Sequence, residues 1–122
     1  SDAPEARLRR LIERFVQEYA DAHAHHQVLV QDIKYLDEAD QRRVRDKERR
    51  VVAAFATAIA AVHPELAAAR LEKPLTMLLF GMINWMFTWF REDGSLGYDD
   101  MSRLVTEFVI GGLERVAADS SP

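Results

Sequence analysis

The residues best suited to recognition are gathered in one apolar segment. Trp85 and Trp89 are four apart, so on a helix they share a face and could wall a slot for a flat or long apolar ligand. The same pair is equally suited to packing in a core or between subunits. Asn84 and Thr88 have the same spacing on a neighbouring face. If buried, their amide and hydroxyl would need partners, and a thioester or amide ligand could supply them. If that strip meets water, no ligand is required. Phe55, on the apolar stripe of an earlier helix, joins these ligand candidates.

Two further groups carry chemistry. His23 and His26 continue the stripe of Leu8, Ile12, Phe15 and Tyr19, which turns both rings to one side. They could bond a ligand, but zinc takes at least three protein ligands and the sequence offers no third, so no metal is expected. Arg45 and Arg49 share a face within a run of basic residues, Arg42 to Arg50. Guanidinium forks match phosphate oxygens, which makes this pair the candidate for the phosphates of a ligand. Asp40, Asp46 and Glu48 are interleaved with the run, and a solvated helix laced with ion pairs is the plainer reading.

Catalysis has no comparable support. The chain holds no cysteine, no Gly-rich phosphate loop, no nucleophile elbow and no His-Glu-x-x-His pair. No enzyme activity and no cofactor are expected. The 122 residues are 48% hydrophobic and 30% charged, which describes one globular domain over residues 1–122. A net charge of −4 leaves no domain-wide basic footprint for nucleic acid. Ser1-Asp2-Ala3-Pro4 runs straight into charged residues, unlike a signal peptide, so a cytoplasmic location is the default. Leu75 to Phe90 is mostly apolar yet falls just short of a spanning length, and no membrane partner is expected.

These residues must be carried by helices, because apolar positions recur at three and four rather than two. The pattern predicts helices over about Pro4–His25, Gln27–Tyr35, Leu36–His63, Glu72–Glu92 and Tyr98–Ala117, with a turn or short helical piece at Pro64–Arg70. The fold class is all-α, a bundle of about five helices. On the helix over 72–92, Leu78, Met82, Trp85 and Trp89 share one face, and Phe80, Ile83 and Phe87 lie nearly opposite. That apolar arc is too wide for one core stripe, so a second cover is needed. A second subunit supplies it in the simplest arrangement. Leu78 and Met82 would then meet Met101, Leu104, Val105, Phe108 and Gly112 of the last helix in a four-helix bundle across a two-fold axis.

The segment Leu79-Phe80-Gly81-Met82-Ile83-Asn84-Trp85-Met86-Phe87-Thr88-Trp89-Phe90-Arg91-Glu92-Asp93-Gly94 resembles the penultimate helix and turn of the TetR family of bacterial repressors. It is most similar to the branch that regulates fatty-acid, phenylacetate and steroid-ring degradation. Phe108-Val109-Ile110-Gly111-Gly112-Leu113 is similar to that branch's C-terminus, and Leu36 to Val44 to the start of its central helix. Glu92 stands where the branch usually has proline. The resemblance implies an effector-binding and dimerisation domain, a homodimer, and an acyl-CoA or aromatic acyl-CoA as effector. It also implies that operator DNA is reached only through an N-terminal helix-turn-helix, which this chain does not contain.

Overall fold

The computed structural model describes residues 3–33, 37–92 and 94–120, with the side chains of 22–33 outside the description. Five helices are described: α1 Pro4–Ile33, α2 Glu38–Val62, α3 Pro64–Ala68, α4 Glu72–Trp89 and α5 Tyr98–Ser120. No strand occurs among the described residues.

Helix α1 starts with Pro4 in its first turn and Glu5 at its positive end. It buries Leu8, Ile12, Val16 and Ala20, each four residues after the last. The expected break near His25 does not occur, and α1 runs on to Ile33, taking in most of the segment read as a separate short helix. The reason is local: no glycine or proline falls between Pro4 and Pro64, so nothing there removes a backbone donor or favours a turn.

Asp37 opens α2. Its backbone is extended, and its carboxylate accepts from the Asp40 N–H at 2.8 Å. Such a cap is worth about 1 kcal/mol over alanine. Proline cannot donate the next helical bond, so Pro64 forces the preceding His63 out of helical geometry and ends α2.

One turn later the chain reverses through a Schellman motif. The Leu71 N–H donates to the Leu66 carbonyl at 2.8 Å, and the Arg70 N–H to Ala67 at 2.9 Å. Arg70 takes φ 61°, where glycine is the usual occupant.

The turn between α4 and α5 rests on two carboxylates. Glu92 accepts from the Tyr98 N–H at 3.0 Å, and Asp100 from the Gly97 N–H at 2.9 Å. Both satisfy donors that the start of α5 leaves without helical partners. A Cβ on Gly97 would lie 2.9 Å from the Glu92 carboxylate, so glycine makes room for the first bond. Glu92, in the sequence only a departure from a proline pattern, therefore has a structural task here.

Helix α1 packs against α2 and α5 and touches α4, α2 lies along α4, and α3 bridges α2 and α5. Leu8, Ile12, Ile59, Leu66 and Ile83 are fully enclosed where they meet. Two buried hydroxyls cost little, because Thr76 donates to the Glu72 carbonyl and Thr106 to Ser102, each at 2.7 Å. No described helix is long and apolar enough to cross a membrane.

At the surface Arg9 of α1 bonds Glu107 of α5 and also reaches Glu5. The Arg9 hydrogen bond holds the Glu107 carboxyl below its ordinary range. A depressed carboxylate contributes stability above its unfolded pKa and loses it as pH falls through the folded one. Glu107→Gln should therefore lower the urea midpoint slightly at about pH 7 in low salt, and the gap to wild type should close as pH falls through the folded-state pKa of Glu107.

Candidate functional site

The interior is built around a connected set of aromatic rings. Phe15 of α1 stacks on Phe80 of α4 at 5.0 Å, and both meet Phe55 of α2 edge-on, at 5.5 and 5.2 Å. Tyr19 links Phe15 to Phe87 at centroid distances of 5.8 and 4.9 Å. Phe87 stacks on Tyr98 of α5 at 5.6 Å, and Tyr98 meets Phe90 edge-on. Rings in these tilted, offset or T-shaped arrangements add about 0.5–1.5 kcal/mol per pair beyond their buried area. The set thus joins α1, α2, α4 and α5, with Phe55 and Phe87 buried and Phe15, Tyr19, Phe80 and Tyr98 half-buried, and is an apolar surface that a ligand could line.

The other side of α4 is open. Trp85 is 69% exposed and Trp89 56%. Leu78 beside them, and Leu104 and Phe108 from α5, are also more than half exposed. Two adjoining apolar grooves run between the helices and share Met82 and Phe108. One, of about 360 Å³, is walled by Trp85, Trp89 and Leu104 over a floor of Met101 and Val105. The other, of about 400 Å³, extends past Leu78 to Gly112. A Cβ added at Gly81, Gly111 or Gly112 would meet nothing within 4 Å, so a second backbone has clear access there.

The ligand candidates read from the sequence are not brought together. Trp85 and Trp89 lie on the open face with Leu78, Met82, Leu104 and Phe108, the residues expected between subunits. Asn84 and Thr88 are exposed, and the Thr88 hydroxyl already donates to the Trp85 carbonyl at 2.7 Å. Phe55 is buried in the aromatic set. Arg45 and Arg49 are exposed on the first half of α2, where Arg49 faces Asp46 at 3.4 Å. Val44 and Glu48 are exposed too, so the α2 stripe reaches the core only from Val51 onward. The side chains of His23 and His26 lie outside the described residues. No group of three metal-ligating side chains occurs among the described residues.

Sequence reasoning did not single out Phe15, Tyr19, Phe80 and Tyr98 as one cluster. Its signal was available in part, since Phe15 and Tyr19 are four apart and Phe80 and Phe87 seven apart, each pair on one helix face.

Residues 1–113 match the family described as "Tetracyclin repressor-like, C-terminal domain". The chain belongs to this TetR-like family. A crystal structure of a TetR-family transcriptional regulator from Bordetella parapertussis 12822 is similar, with a TM-score of 0.75 at 30% identity. The match covers 90% of this chain and 58% of that regulator, so the TetR-like domain spans little more than half of the longer protein's length. No curated protein matches.

The two sides of α4 in this TetR-like domain make opposite demands on stability. Phe55→Ala should cost about 3–5 kcal/mol, because it empties the centre of the aromatic set. Trp85→Ala should change the isolated subunit by no more than about 0.5 kcal/mol. Urea unfolding followed by circular dichroism on dilute protein separates the two.

Proposed function

We propose that this chain is the effector-binding and dimerisation domain of a TetR-type transcriptional repressor, with an acyl-CoA or aromatic acyl-CoA as effector. The supporting observation is the open apolar face of α4 and α5. Soluble monomers seldom leave contiguous apolar surface of this kind uncovered. Leu78, Trp85, Trp89, Leu104 and Phe108 offer large anchors, and Gly81 and Gly112 admit a close backbone. Placed against its own copy about a two-fold axis, the face buries itself in a four-helix bundle.

In this reading the acyl group lodges against the aromatic interior around Phe55, Phe15 and Phe80. Arg45 and Arg49, further toward the start of α2, receive the phosphates of coenzyme A. The thioester class itself comes from the likeness of residues 79–94 and 108–113 to acyl-CoA-responsive repressors. Helix α4 carries interior rings on one side and the subunit face on the other, so an effector that reseats Phe80 or Phe87 biases how two subunits meet. The effector acts only through its difference in affinity for the two arrangements.

Native mass spectrometry tests both parts. A two-fold dimer weighs about 28 kDa against the 14.0 kDa chain. The dimer should retain one CoA thioester per subunit, unhydrolysed and selected from a panel of thioesters and free acids. Phe108→Glu should give a folded monomer. A wild-type monomer would refute the dimer, and a dimer indifferent to the whole panel would refute the thioester.

A further inference from the structure

A third groove lies on the side of α5 turned away from Leu104 and Phe108, between α1 and α5, and has a volume of about 800 Å³. Arg7, Arg10 and Arg14 line it from α1, and Arg103 from α5. Positions 7, 10 and 14 fall at i, i+3 and i+7, so their guanidinium groups form one row along the helix. Glu13 and Asp99 are the acids on its walls, and Ser102 adds a hydroxyl. Four cations and two acids line the groove, and Arg10 and Arg14 have partners of their own.

The pairing within the groove is uneven. Arg14 is held by Glu18 at 3.0 Å. Arg7 and Arg103 make no ion pair with any described residue, although acids lie in the same groove. Arginine presents a planar fork that matches phosphate oxygens two at a time, and such charge-assisted bonds are the strongest a surface groove can offer. Leu11 leaves an apolar patch beside the row, suited to the non-ionic part of a ligand.

We infer that the groove between α1 and α5 binds a small phosphorylated anion, held by Arg7 from α1 and Arg103 from α5 with Arg10 and Arg14 beside them. The site is independent of the effector and dimer assignments above. Its residues are separate from the open face of α4 and α5 and from Arg45 and Arg49, so association through that face leaves it accessible.

Inorganic pyrophosphate is the probe, titrated into the wild-type chain by calorimetry at fixed ionic strength. Saturable binding is expected, weakened about tenfold or more in the double variant Arg7→Gln/Arg103→Gln. Glutamine keeps much of the side-chain length and removes the charge, and circular dichroism verifies that the variant is folded. Arg42→Gln removes an exposed cation elsewhere, on α2, and should bind like wild type. Three results would each overturn the proposal: no saturable heat with wild type, undiminished binding by the folded double variant, or an equal loss in Arg42→Gln. The last would reduce the effect to the overall charge of the chain.

Discussion

Phe15 lies flat on Phe80 and edge-on to Phe55, and the arrangement of the other helices follows from that three-ring contact. One ring comes from α1, one from α2 and one from α4, so none of the three helices can slide without breaking ring geometry. Tyr19, Phe87 and Tyr98 extend the contact to the start of α5. Aliphatic side chains complete the seal, with Leu8, Ile12, Ile59 and Ile83 fully enclosed around it. Interiors packed in this way rearrange between discrete states rather than deforming smoothly.

Helix α4 faces two environments. Its inner side presents Leu79, Ile83, Met86 and Phe87, and its outer side presents Leu78, Trp85 and Trp89. Thr76 is turned inward and bonded to its own helix, and the exposed Asn84 and Thr88 lie between the two sides. The turn after it is restrained by Glu92 and Asp100 rather than by packing alone, so the end of α4 and the start of α5 are tied together through the backbone.

Much of this was legible in the sequence because the punctuation is strong. Pro4, Pro64 and Pro74 mark helix starts, and Gly94 and Gly97 mark the last reversal. The continuity of α1 past His25 was not legible, since a cluster of polar residues resembles a loop even when nothing in it breaks a helix. The wheel separated Phe80 and Phe87 from Trp85 and Trp89, but it could not say which side faced inward. That choice is made by α1 and α2, whose docking no spacing within α4 encodes. The Arg103 wall of the groove between α1 and α5 was hidden for the same reason, because it meets Arg7, Arg10 and Arg14 only when α1 and α5 are packed. Glu92 shows a shorter-range version: its partner is a backbone N–H six residues on, in a loop with no periodicity to read.

The chain contains only two tryptophans, and both stand on the outer side of α4. The rings inside the bundle are phenylalanine and tyrosine. Light absorbed at the red edge of the protein band is thus re-emitted from one surface alone. The molecule carries a built-in optical reporter whose colour follows the wetting of that surface, and Trp89 is joined to the inner rings through its edge-on contact with Phe90.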